Sequence, residues 1–456
     1  MNGLRLAVVA AMLMGGMSVA SAQQGGVIAG RGEAATEVEL TDEQKLGRRL
    51  FEDIRFCNPG SDINVSCATC HVPHKNYKGE RAYTDSVARS IIPSRSGGRD
   101  LTLRNTPTLL DAANATTFNH DGQFDSLEAL IESKLFSRQF GWTTEQKDRA
   151  SEEIKTILEG DTGVSELASG TYVEEFKSAF DIDLAATDPG ESVSLIARAL
   201  ASYVRTLKTT NTAPYDAFAY LNRLNPGFAK NDTPDEFSGR VFGNLGNTEG
   251  RLSVKWPKPY DETAYQGLKT FYRVPGEGDT EKIGNCVACH HPARFTDYAF
   301  HNTGVAQMEY DGVHGDGAFD KLDVDPSKRG DTTYRSRAAK DSPASADLGR
   351  WNFADDDAML GAFKTPPLRN PGKTTPYMHN GAYETLEDVI RQKIHASKLA
   401  KAGTLRNADP ELLRMNITED DVEELAAFLR TLDEVPPENY RDIIIKGVDT
   451  RKIIPE

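Results

Sequence analysis

The chain has 456 residues, of which 27% are charged, and its formal net charge at pH 7 is -15. This length predicts two or three domains, each large enough to bury a core. The acidic balance argues against a nucleic-acid partner, because nucleic-acid-binding proteins carry basic surfaces. It favours instead a small basic partner protein.

The start of the chain has the pattern of an exported precursor. An apolar run over residues 6–19 is followed by a cleavage site of small residues, which is typical of a secretory signal peptide spanning residues 1–22. Neither this run nor any later one is long enough to cross a membrane. We therefore expect a periplasmic protein without a membrane span. Residues 23–40 are rich in Gly and Ala and are predicted to be flexible.

The most informative stretches are two C-x-x-C-H motifs. They comprise Cys67, Cys70 and His71, and then Cys286, Cys289 and His290. This is the attachment signature of a c-type haem, because the two thiols form thioethers with the porphyrin and the histidine ligates the iron. A C-x-x-C pair alone also suits a redox disulfide or half of a zinc site. The adjoining histidine, present twice, favours two covalently bound haems. The fifth cysteine, Cys57, is predicted to be a buried thiol.

Apolar periodicity predicts a mainly helical chain. A capping box at Thr41 starts a helix that leads into the first motif, and another helix starts at Ser126. Residues 211–260 are rich in Gly, Pro and Asn, which predicts a connection with one short helix over residues 215–224. Further helical patterns cover residues 165–180, 195–207 and 264–271.

The second half repeats the landmarks of the first half in the same order. The T-P-x-L segment that begins at Thr106 recurs at Thr365, and the turn containing His120 recurs at His379, at one constant offset. We therefore predict two tandem cytochrome c-like haem domains related by internal duplication. The predicted domains cover residues 41–210 and 261–435, with the connection at 211–260 and a tail at 436–456.

These features resemble the bacterial dihaem cytochrome c peroxidases and the related MauG-type enzymes. The shared pattern is two C-x-x-C-H domains, each with a T-P-x-L segment, an H-[DN]-G turn and a closing R-T-L helix. The resemblance covers nearly all of the mature chain. It implies that the haem on His71 reacts with peroxide and that the haem on His290 transfers electrons. It also allows a homodimer.

The resemblance further implies a calcium ion between the two domains. The matching positions are Asn105, Thr374 and Pro376, the last through its backbone carbonyl. Oxygen ligands of this kind suit calcium. The alternative for Asn105 is a side chain that stabilises a turn.

The first haem site departs from the family pattern. The classical peroxidases place a blocking histidine at a position that falls near Gly97, but no histidine occurs here from Lys75 to Asn119. We therefore predict an open or water-bound iron in the resting state. The family's distal glutamine falls at Leu130, and its distal glutamate falls near Phe140.

Two other residues are candidates for the catalytic work at this haem. Peroxide cleavage needs a base to move a proton and a polar group to stabilise the leaving hydroxide. His120, which replaces the family's tryptophan, and Glu132 are the nearest such residues in sequence. The alternatives are that His120 holds its turn by hydrogen bonds and that Glu132 is a surface residue.

The sixth ligand of the second haem also departs from the family pattern. The family has Met or Tyr where this chain has Lys393, and His395 follows two residues later. A neutral lysine amine ligates iron if burial lowers its pKa, and histidine is a common haem ligand. Met378 is a further alternative, and each choice would set a different reduction potential.

The resemblance implies a peroxidase that reduces hydrogen peroxide to water with electrons from a donor cytochrome or cupredoxin. The alternative is a MauG-like oxidase, which modifies Trp or Tyr of a partner protein through a high-valent iron state. A second alternative is a dihaem cytochrome that only transfers electrons. The absent blocking histidine and the altered distal residues favour the MauG-like alternative over a classical peroxidase to some extent.

Overall fold

The computed structural model describes most of the chain outside its two ends. The described residues are 39–73, 84, 86–94, 97–224, 227–229, 231–249, 254–276, 282–445 and 448–451. The predicted signal peptide and most of the predicted flexible segment lie outside them.

The described part is mainly helical, as predicted. Its helices are α1 (Asp42–Glu52), α2 (Cys67–Cys70), α3 (Leu127–Leu135), α4 (Lys147–Glu159), α5 (Tyr172–Phe180), α6 (Pro189–Val204), α7 (Pro214–Leu221), α8 (Pro234–Glu249), α9 (Glu262–Tyr272), α10 (Val305–His314), α11 (Leu386–Lys401), α12 (Val422–Arg430) and α13 (Pro437–Ile445). Among the described residues, no helix has the length and apolar character needed to cross a lipid bilayer.

The strands are short and form three two-stranded antiparallel sheets. They are β1 (Ile91–Pro93) with β2 (Arg99–Leu101), β3 (Val254–Pro257) with β6 (Val448–Arg451), and β4 (Phe300–His301) with β5 (Phe363–Lys364). These sheets join loops to one another, and the cores are built by helices.

Each half is centred on one close helix pair. Helix α1 packs on α6, and α9 packs on α12. Both contacts need glycine, because a Cβ at Gly47 would overlap the carbonyl oxygen of Ala199 and a Cβ at Gly267 would overlap that of Glu424. Phe51 on α1 and Phe271 on α9 lie next to these glycines in the cores of the two halves.

The turns after the two T-P-x-L segments also have the same geometry. Phe118 pairs with Phe124 across the first turn, and Tyr377 pairs with Tyr383 across the second. The first turn has Asn119 at φ 68°, and the second has Met378 at φ 68°. A non-glycine residue with positive φ is uncommon, so the same exception at matched positions is a specific similarity.

The ends of several helices differ from the sequence prediction. Helix α5 begins at Tyr172 rather than at residue 165, because Thr171 and Glu174 form a capping box there. Helix α6 begins earlier than predicted, at Pro189, where Asp188 caps it. Proline is favoured in the first turn because its missing N–H is not needed there.

The segment 211–260 contains more structure than its composition predicts. It holds α7 near the predicted short helix, and also α8 and β3. The prediction of a largely irregular connection is therefore wrong for α8, whose many Gly and Asn residues hide the helical pattern. Helix α13 packs on α7, and β6 pairs with β3, so the end of the chain is attached to this segment.

The polar insertion over residues 309–346 forms a small core of its own. Its apolar residues pack around the buried Trp351, whose indole Nε1 donates to Asp357 Oδ1 at 2.8 Å. The insertion also brings Arg335 and Arg337 to the wall of the central cavity. It thereby adds positive charge to the wall of this cavity.

Candidate dihaem site

Both C-x-x-C-H motifs open into one cavity of about 1850 Å³. Its lining includes Cys67, Cys70 and His71 from the first motif, and Cys286, Cys289 and His290 from the second. The rest of the wall comes from the T-P-x-L segments, helices α3 and α11, and the polar insertion. No disulfide joins any of the five cysteines.

The first motif forms a single helical turn, α2. The amide of His71 donates to the carbonyl oxygen of Cys67 at 2.8 Å, which places the two thiols and the imidazole on one side of the turn. The Phe51 ring lies 6.5 Å from the His71 ring. The leftover Cys57 is buried, and its thiol bonds to the backbone of Val65, so the prediction of a buried thiol is confirmed.

The second motif has a matching turn and a defined imidazole tautomer. The amide of His290 donates to the carbonyl oxygen of Cys286 at 2.9 Å. Its ring Nδ1 donates to the carbonyl oxygen of Phe295 at 2.8 Å, which leaves Nε2 available to a metal. Burial lowers the pKa of His290 to about 4, so the ring is neutral at pH 7. The Phe271 ring lies 6.4 Å from it, as Phe51 does from His71.

These residues fit two covalently attached haems. Paired thiols and an adjoining histidine face a shared cavity at two places, and the second histidine has its outer nitrogen fixed by a backbone carbonyl, as haem and metal ligands require. A haem bound at each motif would supply an iron that changes oxidation state, and one open iron position would bind peroxide.

His120 is engaged in holding its turn. Its Nε2 lies 3.0 Å from the carbonyl oxygen of Asn105, and its own carbonyl oxygen accepts from the amide of Lys364 at 2.8 Å. Burial lowers the pKa of His120 to about 4, and the charge of Arg104 lowers it further. His120 therefore lines the cavity as a neutral ring, which favours its structural interpretation.

Glu132 lies on the cavity wall, but its carboxylate is already engaged by other side chains. Its carboxylate lies 3.6 Å from Lys147 Nζ and accepts a long hydrogen bond from Ser194 Oγ at 3.4 Å. A third of this side chain is exposed. The geometry therefore gives Glu132 a partner on α4 rather than a place beside His71.

An ion-pair network that the sequence did not reveal joins the two halves beneath the cavity. Arg104 donates to Asp121 at 2.6 Å and to both carboxylate oxygens of Asp347 at 2.7 Å. Burial opposes the charge on Asp347, but Arg104 lowers its pKa to about 2. His379 lies close to Asp347 and stacks on Phe363, with ring centroids 3.5 Å apart. In the sequence, the only sign of Arg104 and Asp121 is that they adjoin the predicted site residues Asn105 and His120.

Lys393 and His395 lie on different sides of α11. Lys393 lines the cavity, its Nζ donates to Thr303 Oγ1 at 2.8 Å, and burial lowers its pKa to about 8. His395 is exposed and is not part of the cavity wall. The α-helical period explains the difference, since residues two apart face away from each other. The suggestion of His395 as a haem ligand is therefore not supported by its position.

The three predicted calcium positions lie near one another. The Asn105 amide nitrogen lies 2.5 Å from the carbonyl oxygen of Pro376 and 3.3 Å from that of Met378. The Asn105 Oδ1 atom is buried and has no hydrogen-bond partner among the described residues. Thr374 lies two residues before Pro376 and bonds to Pro371 through its hydroxyl. Met378 also takes part here through its backbone, in the αL conformation.

A second feature that the sequence did not reveal lies beside Cys289. His301 is held between Asp297 at 2.8 Å and Asp409 at 2.6 Å. Burial opposes protonation, but the two carboxylates raise the pKa of His301 to about 12, so it is charged at pH 7. The atoms of Cys289, Asp297 and His301 lie close enough together to hold a metal ion. Because Cys289 belongs to a haem-attachment motif, we assign this group to the wall of the second haem site.

The family model described as di-haem cytochrome c peroxidase matches residues 41–223. The chain is thus similar to members of the dihaem cytochrome c peroxidase and MauG superfamily. It is 27% identical to methylamine utilization protein MauG of Methylorubrum extorquens, over 87% of this chain and 80% of that protein. It is 24% identical to the cytochrome-c peroxidase IdrP1 of Denitromonas iodatirespirans, over 89% and 85%. Members of this superfamily are oxidoreductases with haem cofactors, and this similarity identifies the chain as an oxidoreductase.

Solved structures of the superfamily share the fold. The diheme peroxidase BthA of Burkholderia thailandensis has a TM-score of 0.55 and 18% identity, and the match covers 89% of each chain. A MauG-like protein associated with microbial copper homeostasis has a TM-score of 0.53 and 22% identity, over 89% of this chain and 92% of that one. At these identities the likeness concerns the fold alone.

Proposed function

We propose that the protein is a dihaem peroxidase that reduces hydrogen peroxide to water with electrons from a donor cytochrome or cupredoxin. The observation that carries this proposal is the single cavity lined by both C-x-x-C-H motifs. Two haems held in one cavity are close enough to share electrons. Peroxide takes two electrons, so a pair of irons can deliver both without leaving a free radical intermediate.

The proposal includes two haem domains that arose by internal duplication. The matched glycine contacts, the matched turns at Asn119 and Met378, and the matched Phe51 and Phe271 beside the two imidazoles support it. We keep the domain bounds predicted from the sequence, residues 41–210 and 261–435.

The two haems have different roles in this proposal. The haem on His71 binds peroxide, because no histidine occurs among the described residues from 86 to 119 to close its iron. The haem on His290 transfers electrons and has Lys393 as its sixth ligand. Lys393 is supported by its buried amine on the cavity wall, where the hydroxyl of Thr303 orients it. Burial lowers the pKa of Lys393 to about 8, which favours the neutral amine that ligation needs.

We further propose a calcium ion between the domains. The buried Oδ1 of Asn105 and the carbonyl oxygen of Pro376 would be two of its ligands, after rotation of the Asn105 amide. Oxygen-rich sites of this kind are typical for calcium. Thr374 completes the set proposed from the sequence. Removal of calcium by a chelator is then expected to change the spectrum of the haems without releasing them.

A MauG-like oxidation of a partner protein is the second candidate. It is favoured by the similarity to three proteins named methylamine utilization protein MauG, at 25–27% identity. In that case the electrons for peroxide reduction would come from Trp or Tyr of the partner instead of a donor cytochrome. Both candidates place the protein in the periplasm, where the signal peptide would send it and where c-type haem is attached.

Steady-state turnover separates these functions. The purified diferric protein is mixed with peroxide and a reduced small cytochrome c or cupredoxin, and donor oxidation is followed optically. A peroxidase oxidises two donor molecules for each peroxide, with a turnover that saturates in the donor. Slow donor oxidation would favour the MauG-like function, provided that the oxidised form of the protein persists for minutes after peroxide is added. Absence of any reaction with peroxide would contradict both.

A further inference from the structure

Lys134, on helix α3, has no role in the function described so far. Helices α3 and α11 follow equivalent turns, and each begins with a capping hydroxyl, from Ser126 and Thr385. The cavity face of α11 consists of Leu386, Val389, Ile390 and Lys393. The residues at the same offset on α3 are Leu127, Leu130, Ile131 and Lys134, and they also line the cavity. Lys134 is therefore the counterpart of Lys393 in the first half.

The two lysines have different surroundings. Lys393 is bonded to the hydroxyl of Thr303. Lys134 is half-buried, and its Nζ has no hydrogen bond or ion pair with the described residues, although its backbone carbonyl oxygen accepts from Ser137. Burial lowers the pKa of Lys134 to about 8, and the charges of Arg104 and Arg335 add to this while Asp121 opposes it. Charged neighbours on adjacent elements are already paired, namely Glu132 with Lys147 and Arg138 with Asp100.

We propose that Lys134 Nζ moves the proton between the two oxygens of peroxide at the first haem. This inference rests on the proposed peroxidase function. The other groups on this wall leave the task open, because His120 is neutral and bonded to Asn105, and Glu132 is paired with Lys147. An amine that exchanges its proton near neutral pH is suited to act first as a base and then as an acid.

The step balances with the groups at hand. The neutral amine takes the proton from the peroxide oxygen nearer the haem and becomes an ammonium. The O–O bond then breaks, its electron pair leaves with the outer oxygen, and the ammonium returns the proton so that this oxygen departs as water. Haems held at the two motifs would supply the two electrons that reduce the remaining oxygen. The Nη2 of Arg335 donates to Gln123 at 2.9 Å, which fixes this cation on the same wall.

The test uses the diferric holoprotein and the variants Lys134→Met and Lys134→Arg, with Lys177→Met as the control. Lys177 is an exposed lysine on α5, where it pairs with Asp181. The rate constant for the optical change with stoichiometric peroxide is expected to fall about 100-fold or more in both Lys134 variants. The wild-type rate should rise with pH through about 8, and this rise should disappear in both variants.

A binding measurement provides a readout that does not depend on turnover. Fluoride binds ferric haem and accepts a hydrogen bond from a nearby cation. Below pH 8, the fluoride affinity of the first haem is expected to fall about tenfold in Lys134→Met and to persist in Lys134→Arg. Haem content is measured for each variant. If Lys134→Met does not retain both haems, Lys134→Arg, which keeps the charge and loses the proton exchange, carries the test.

The outcomes distinguish this inference from the proposed function. If the wild-type protein does not react with peroxide, the proposed function fails and the inference fails with it. If the wild type reacts and the variants match its rate and pH profile, only the inference about Lys134 is overturned. A changed haem potential at an unchanged rate would assign Lys134 to a haem propionate and would also overturn it. A resting low-spin first haem that becomes high-spin in Lys134→Met would mean that Lys134 ligates the iron.

Discussion

The two halves of the molecule share their backbone geometry but differ in the side chains that face the cavity. The helix contacts at Gly47 and Gly267 and the turns at Asn119 and Met378 match closely. In contrast, Lys393 is fixed by a hydroxyl, whereas its counterpart Lys134 lies among charged groups. The positions set by steric fit are therefore alike in the two halves, whereas the two lysines on the cavity wall differ in their surroundings. We infer that one site is open for chemistry and the other is closed for electron transfer.

Removal of either haem is expected to give the largest difference in activity between the two halves. Replacing both cysteines of one motif with Ala, at Cys67 and Cys70 or at Cys286 and Cys289, should leave one covalent haem instead of two. The first variant should lose the reaction with peroxide. The second should retain a peroxide reaction but lose donor-dependent turnover. The pyridine haemochrome spectrum and the donor assay measure both results, and equal losses in the two variants would contradict the division of roles.

Replacing the two contact glycines tests whether the helix pairs of the two halves pack in the same way. Gly47→Ala and Gly267→Ala should each lower the free energy of unfolding by about 2–4 kcal/mol, because the added methyl group meets a helix backbone. Gly239→Ala is the matched control, since nothing lies within 4 Å of a Cβ there. It should stabilise α8 by roughly 0.5–1 kcal/mol. Denaturant unfolding of the holoproteins measures these changes. An unchanged free energy of unfolding in Gly47→Ala would show that the two helix contacts are not equivalent.

The sixth ligand of the second haem can be tested by replacing each of two nearby residues on α11 with alanine. Lys393→Ala should convert the low-spin ferric signal of this haem to a high-spin signal and shift its reduction potential. His395→Ala is the control, because His395 is exposed on another side of α11. EPR spectra of the diferric variants give the result. A low-spin signal that survives Lys393→Ala and is lost in His395→Ala would reverse the assignment.

The ion pair between the halves should give a smaller, pH-dependent effect. Arg104 lowers the folded-state pKa of Asp347 to about 2. A carboxyl group whose pKa is lowered on folding stabilises the fold at pH values above its unfolded-state pKa, which is near 4. This contribution to the free energy of unfolding, about 2 kcal/mol, is lost as the pH falls toward 2. Asp347→Asn should therefore destabilise the protein at pH 7 and flatten its stability between pH 4 and 2. Thermal unfolding across this range measures the slope, and an unchanged slope would contradict the assignment.

The sequence predicted those features that depend on local patterns. The haem motifs, the capping box at Thr41 and the helix start at Ser126 each involve a few adjacent residues, and the structure has α1 and α3 where they were expected. The ion pairs Arg104–Asp347 and His301–Asp409 join residues far apart in the chain, so no local pattern shows them. Lys134 was missed for a related reason, since its significance depends on the matching of α3 with α11.

The EPR spectrum of the purified diferric protein at rest would distinguish an open haem from a closed one. We expect one high-spin signal from the open haem on His71. We also expect one low-spin signal from the haem on His290, closed by Lys393. Two low-spin signals would mean that both irons carry two protein ligands, and two high-spin signals would mean that Lys393 does not ligate. Either result would contradict the central claim that the two matched halves hold an open and a closed haem.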